Sequence, residues 1–515
     1  MIIKSNSSKK PNVSFVNTTK QYYITGMSLI ILSAVFLYYG YSTQIPLKHV
    51  ISLKSNLSLH NIISDKFLSI GLDSSLLRHL SNVPINNKKF MNLARHLSPA
   101  FVRIGGTSAD CLFFNQTSEQ LEKKDNKELL VYSNDTSNFS ITSNDFISLY
   151  QFTQDANLRM IFDLNVLRRN SDGSWNSDNG QEIILFAKKH GMELDWQMGN
   201  EPNSFFHVFN IRISAQQLAE DYCKLRSLLN ESGYKDSSLM GPEANHIGDS
   251  GQFYAHIFLK YVKDCIDDVT WHQYYLNGHI AQLEEFLNPL TFNRLSTQID
   301  TMNWAIKTSG QVKNMWISET SSAYGGGAPN LSDRFVASFL WLDKLGYSAK
   351  ANVQVVIRQT LYGGDYAMVG HDLHPNPDWW LSVLYKKLVS ERVLDLQAPD
   401  NFGKLRMYAH CASQQMAKST DSSIVIYGVN LNTQDIRINL QIPTKEKHVY
   451  AYILTSKDLQ SRDIYLNENI LKLKNDGSLP KFEPKILNIN DVIVLPPYSL
   501  QFFIVHQIPV AACSN

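Results

Sequence analysis

Leu194–Glu201 reads LDWQMGNE, and Met315–Thr320 reads MWISET. Each is a short apolar run that closes on a glutamate, too brief for a helix and rich in the residues that favour a pleated, buried surface. Six further segments share this form: Phe67–Asp73 (FLSIGLD), Phe101–Gly106 (FVRIGG), Leu158–Asn165 (LRMIFDLN), Ser238–Glu243 (SLMGPE), Val269–Tyr274 (VTWHQY) and Val353–Gln359 (VQVVIRQ). Helical periodicity fills most of the intervals, so the order is strand, helix, strand, helix, which predicts a (β/α)8 barrel over residues 65–387. One such helix is expected over Ser332–Leu345, stopping at Gly346. The charged, Asn/Ser-rich tract from Asn115 to Ser143 reads as an exposed loop with at most a short helix. From residue 388 to 515 short strands follow without long helices, which predicts a C-terminal β-sandwich, and residues 42–64 alternate in a way that adds a strand to it.

Basic and acidic residues number 48 and 47, so no whole-chain field draws this protein to nucleic acid. A polyanion would need a local patch. Residues 1–23 form a basic tail ahead of an uncharged apolar segment at residues 24–41, long enough to cross a bilayer. The excess of lysines before it orients the N-terminus to the cytosol, giving a single-pass type II anchor; a cleaved signal peptide is the rival. Either reading sends the remainder into the secretory pathway, and sequons at Asn56, Asn115, Asn134, Asn138, Asn230 and Asn330 suit that route. Five cysteines without paired CxxC or His-rich spacing point to one or two disulfides and no zinc. No nucleotide-binding glycine loop or other cofactor signature is expected either.

In a barrel of this kind the active site lies at the C-terminal strand ends. Asp73, Asn165, Asn200, Glu201, Glu243, His272, Tyr274 and Glu319 all fall there. Two carboxylates on different strands are what glycosidic cleavage needs: one protonates the leaving oxygen and the other attacks the anomeric carbon. Glu201, beside Asn200 and Pro202, is expected to be partly desolvated with a raised pKa, as an acid requires; Glu319 is the nucleophile. A pair of glutamates taken at random would be solvated or salt-bridged; the strand-end position argues otherwise. Trp379 and Trp380 read as core.

The segments WQMGNEPNSF (Trp196–Phe205), VTWHQYYLNG (Val269–Gly278), ETSSAYGGGAP (Glu319–Pro329), WLDKLG (Trp341–Gly346) and VIRQTLYGG (Val356–Gly364) resemble the heparanases of glycoside hydrolase family 79. The resemblance runs from about Phe67 to the C-terminus. It implies a retaining endo-β-glucuronidase that cleaves heparan sulfate, lysosomal or extracellular, with the two carboxyls about 5 to 5.5 Å apart. Residue by residue, it implies that Asn200 binds the sugar 2-hydroxyl and that Tyr274 orients Glu319. His272 lines the same strand end, or is simply a packed, hydrogen-bonded histidine. The resemblance further implies that backbone N–H groups of Gly325 and Gly326, with Tyr366, hold the uronate carboxylate, though by itself this glycine run is a plain turn. Asp73 and Thr107 would contact the glucuronate hydroxyls. A Cys411–Cys513 bridge is implied, leaving Cys111, Cys223 and Cys265 free.

The chain departs from this family in its charges. Phe206, His207, Ser108 and His279 stand where basic residues are usual, and Ala244–Phe253 carries no basic cluster, which leaves Arg168, Arg169 and Arg212 as candidate cations. Sulfates need charge-assisted partners, so a preference for low-sulfate heparan or other β-glucuronides follows. Two further readings stay open: an exo-acting β-glucuronidase, and a catalytically silent, membrane-tethered binder of heparan sulfate.

Overall fold

The computed structural model describes residues 50–55, 58–117, 136–398, 403–416, 422–474 and 477–513. Eight parallel strands form its centre: β1 (Leu68–Asp73), β2 (Ala100–Gly105), β3 (Leu158–Leu164), β4 (Asp195–Met198), β5 (Met240–Ala244), β6 (Asp268–Gln273), β7 (Met315–Thr320) and β8 (Val353–Arg358). These are the eight segments read from the sequence, with ends shifted by a residue or a few. The hydrogen-bonded order runs β4-β3-β2-β1-β8-β7-β6-β5. A parallel bridge between Trp196 and Leu239 joins the two outer members and closes the ring.

Side chains alternate across each strand, and on the inward face this builds a dry floor. Ile161, Met240, Trp316, Val355 and Ile357 pack there, with Phe101 against them. One pleat further along the same strands the inward residues turn polar: Arg103 on β2, Gln197 on β4 and Ser318 on β7. The register slips between Trp271 and His272, so that Trp271 pairs with Ile317 but His272 with Glu319. Such a bulge re-aims a side chain, and here it leaves both Ser318 and Glu319 within reach of the barrel mouth.

Helices clothe the outside, and their starts are chemically marked. Thr142 and Asp145 form a reciprocal capping box at Ser143–Asp155, Ser214 caps Ala215–Glu231, and Asn288 precedes Pro289 at the start of Pro289–Thr308. The helix expected over Ser332–Leu345 instead spans Ala337–Lys350 and passes through Gly346. Gly346 is no terminator: a Cβ on it would lie 2.1 Å from the Tyr408 ring, so the missing side chain is what lets the next layer approach.

That layer is antiparallel. A long sheet, with Leu405–Ala412, Ile424–Asn430 and Ser499–Val505 at its centre, faces a three-stranded sheet of Val50–Lys54, Ile436–Gln441 and Ile493–Leu495. Leu53, Met407, Ile426, Ile438, Leu495 and Phe503 fill the space between. The strand Leu59–Ile62 adds to the long sheet beside Val389–Leu394. On its other side the long sheet contributes Tyr408, Tyr427 and Tyr452 to the barrel's own core. Asp343 accepts hydrogen bonds from Arg406 at 2.7 Å and the Tyr408 hydroxyl at 2.6 Å, fixing the join.

Two further expectations change. Inside the tract read as a loop, Phe139–Ile141 forms a strand parallel to Leu112–Phe114, and Ser143 already begins a helix. Cys223 and Cys265, expected to be free, form a disulfide. They sit on a helix and at the end of the next one, neighbours around the barrel, with Cα atoms 5.0 Å apart. Cys411 and Cys513 are bridged, and Cys111 is a buried thiol. The apolar segment 24–41 lies outside the described residues; among those described, no helix is long and apolar enough to cross a membrane.

Candidate active site

At the C-terminal mouth of the barrel lies a cleft of about 400 Å3, and all ten residues singled out from the sequence line it. Asp73 ends β1, Thr107 opens the turn after β2, and Asn200 and Glu201 follow the end of β4. His272 and Tyr274 come from β6, Glu319 from β7, and Gly325, Gly326 and Tyr366 from the loops that follow β7 and β8. Glu201 and Glu243 both hold a left-handed backbone, with φ of 55° and 59°. Non-glycine residues adopt that conformation at a cost, of order 1–3 kcal/mol, which the surrounding contacts must meet. The Glu201 N–H donates to the Glu243 carbonyl at 3.1 Å, locking the two strand ends together.

One oxygen of Glu201, one of Glu319 and a ring nitrogen of His272 lie within 4.8 Å of one another. His272 sits between acids: Nδ1 is 2.8 Å from Glu201 Oε1, Nε2 is 2.8 Å from Glu243 Oε2, and Nδ1 is 3.9 Å from Glu319 Oε1. Burial alone would discharge this imidazole. The negative charge of Glu319 and the hydrogen bonds to Glu201 and Glu243 outweigh it and lift the pKa to about 10, so the ring is a cation at neutral pH. The Glu319 carboxylate accepts from Tyr274 Oη at 2.8 Å and Arg103 Nη1 at 2.7 Å.

Glu201 differs from expectation. Burial pushes its pKa up, but the hydrogen bond and charge of His272, the charge of His246 and the amide of Asn245 at 2.7 Å together hold the carboxyl below its usual value. The free enzyme therefore carries Glu201 as an anion. Asp73 behaves the other way: burial raises it to about 6, opposed by the Ser75 hydrogen bonds, while Gln359 donates to its second oxygen at 2.8 Å.

Residues 73–346 match the model of glycosyl hydrolase family 79, N-terminal domain. The chain belongs to glycoside hydrolase family 79. It is 35% identical to mouse heparanase over 88% of this chain and 92% of that protein. Two other family members mark the range of outcomes. Identity is 31% to the hyaluronoglucuronidase of the leech Hirudo nipponia, across 88% of this chain and 97% of the relative, and 30% to mouse inactive heparanase-2, across 88% and 87%. In fold, the chain is similar to a 4-O-α-L-rhamnosyl-β-D-glucuronidase from Fusarium oxysporum, with a TM-score of 0.63 at 14% identity, covering 89% of this chain and all of that one.

Beneath the cleft of this family 79 chain lies an arginine that sequence reading passed over. Arg103 is 1% exposed and reaches Glu319, Glu243 at 3.0 Å, Asp163 at 3.4 Å, Gln197 Oε1 at 2.8 Å and Asn200 Oδ1 at 2.9 Å. A buried guanidinium without such partners would cost several kcal/mol. The signal was an arginine in the apolar run FVRIGG, which can only point at carboxylates. Glu243, wholly buried, is held low: Arg103 and His272 overcome the effect of burial. Asn200 donates its backbone N–H to Asp110 at 2.9 Å, and since its side-chain oxygen faces Arg103, its amide NH2 remains for a ligand.

Glu201, His272 and Glu319 have the residue types of a metal site. Both nitrogens of His272 face carboxylates and hold protons, so the ring has no lone pair to give. Of the candidate cations, Arg169 pairs with Asp221 at 2.7 Å, Arg168 stands 4.0 Å from Asp178, and the Arg212 guanidinium lies 3.8 Å over the Phe206 ring. None of the three lines the cleft.

Proposed function

We propose that this protein is a retaining endo-β-glucuronidase that cleaves glucuronate-containing glycosaminoglycan chains. The observation that carries the reading is the approach of one carboxylate oxygen of Glu201 to one of Glu319 within 4.8 Å, a spacing that suits the closer pair of a double displacement better than the wider pair of an inverting enzyme. Named relatives that act on heparan and hyaluronan share a glucuronide as the cleaved unit, which supports the substrate class.

In the first step Glu319 attacks the anomeric carbon as the glycosidic bond breaks, and the departing oxygen takes a proton from Glu201. A glycosyl ester on Glu319 results. In the second step Glu201 takes a proton from water, the water oxygen bonds to the anomeric carbon, and Glu319 leaves as a carboxylate. Tyr274 and Arg103 fix the nucleophile and take up its charge as it is released. The amide of Asn200 serves the 2-hydroxyl, Asp73 and Thr107 the remaining ring hydroxyls. The left-handed backbones of Gly325 and Gly326, at φ of 76° and 88°, let N–H groups approach the uronate with Tyr366 beside them.

Glu201 is anionic in the free enzyme, so its acid form belongs to the complex. The bound uronate brings negative charge and displaces water, and both raise a neighbouring carboxyl. The Nδ1 proton of His272, 2.8 Å from Glu201, is positioned to supply it. The two disulfides suit an oxidising compartment, and the described sequons at Asn115, Asn138, Asn230 and Asn330 are exposed, consistent with a secretory route.

The test is digestion of a glucuronate polymer and a small aryl β-glucuronide by wild type and Glu319→Gln. Rapid shortening of the polymer, lost in the variant, is expected. Release of single sugars from chain ends would favour an exo enzyme, and binding without cleavage a silent one.

A further inference from the structure

None of the described residues lining the cleft is lysine or arginine. Its mouth carries apolar surface instead: Val208 is 44% and Tyr324 45% exposed, and the helix Phe205–Phe209 adds Phe206 at 43% on the same rim. Arginines on nearby loops are engaged. Arg78 donates to Ser108 and Ser137 and lies 4.2 Å over Phe139, Arg169 is paired with Asp221, and Arg212 covers the outer side of Phe206.

The groups beneath the cleft add to this. Carboxylates of Glu201, Glu243 and Glu319 face two cations, Arg103 and His272. The field reaching a sugar at the mouth is therefore negative, with the glycine N–H groups as the local exception. A sulfate placed here would give up water and meet no lysine or arginine among the described lining residues, the His272 cation being already held by Glu201 and Glu243, at a cost of about tenfold in affinity or more for each group left unpaired. A neutral acetamido sugar instead lays its C–H face on the apolar side chains of the mouth and calls for no cation.

Resting on the glucuronidase reading above, we propose that the substrate is a non-sulfated chain of glucuronate alternating with N-acetylhexosamine, and that Phe206, His207 and Val208 select against sulfate.

The experiment compares kcat/KM on length-matched chains, one non-sulfated glucuronate–N-acetylglucosamine polymer and one N- and O-sulfated heparan, with Glu319→Gln as the control. The non-sulfated chain should be cut at least about tenfold faster, with little change between 50 and 200 mM salt (about the range over which a phosphate- or sulfate-clamping site weakens steeply). The double variant Phe206→Lys, His207→Lys should narrow that ratio severalfold. Glu319-dependent cleavage that favours the sulfated chain, or a ratio unmoved by the double variant, would overturn the substrate proposal alone. Failure to cut either chain or the aryl glucuronide would instead overturn the glucuronidase reading on which it rests.

Discussion

His272 carries a proton between Glu201 and Glu243, 2.8 Å from each, and the charge on that ring sets the state of Glu201, the proposed acid/base. Removing it in His272→Gln leaves burial as the main influence on Glu201, so the carboxyl should rise and the basic limb of the kcat/KM profile on an aryl β-glucuronide should move to higher pH. A limb that stays in place would mean that His246 and Asn245 hold Glu201 low without it. In the wild type, the basic limb of kcat should lie above that of kcat/KM, because the bound uronate raises Glu201 in the complex. Stability follows the same ring. Its folded pKa of about 10 exceeds the ordinary 6.5, so its contribution is complete below 6.5 and is lost as pH rises through about 10. The gap in unfolding free energy between wild type and His272→Gln should accordingly shrink from pH 6 to pH 10 in denaturant titrations.

Among the elements, the barrel strands were legible because a strand buried on both faces is a short apolar run, and eight of them mostly separated by helical stretches leave few other architectures. Of the ten candidate site residues, all of which line the cleft, Asp73, Asn200, Glu201, His272, Tyr274 and Glu319 were legible at strand ends, where a polar residue has nowhere to point but the mouth, while Thr107, Gly325, Gly326 and Tyr366 came only from the family resemblance. Arg103 escaped notice because its partners on β3, β5 and β7 are distant in sequence and meet only when the ring closes. Gly346 misled for the opposite reason, since a glycine kept for close packing looks like one kept for a helix end. The test is Gly346→Ala: a side chain 2.1 Å from Tyr408 should cost about 1–3 kcal/mol in thermal unfolding, although alanine is the better helix former. A neutral or stabilising effect would show that the two layers yield there.

At the scale of the molecule, barrel and antiparallel layer share one core through the tyrosines of the long sheet, and two disulfides tie distant elements. The Cys223–Cys265 bridge spans 42 residues of barrel and had no spacing to betray it. Replacing both cysteines by alanine should lower stability by about 2–4 kcal/mol by loss of the constraint on the unfolded chain, while leaving the cleft on the same strands. The charge of the cleft is also a property of the whole ring: Asp73, Glu201, Glu243 and Glu319 arrive from four strands, set against the cations Arg103 and His272 from two others.

The stereochemistry of a single turnover tests the central claim most directly. Proton NMR of the sugar released from an aryl β-glucuronide, recorded before mutarotation, should show the β-anomer first if Glu319 forms a covalent intermediate that Glu201 then helps water to resolve. Initial release of the α-anomer would mean that water attacks directly, and the two carboxylates would not then act as nucleophile and acid/base.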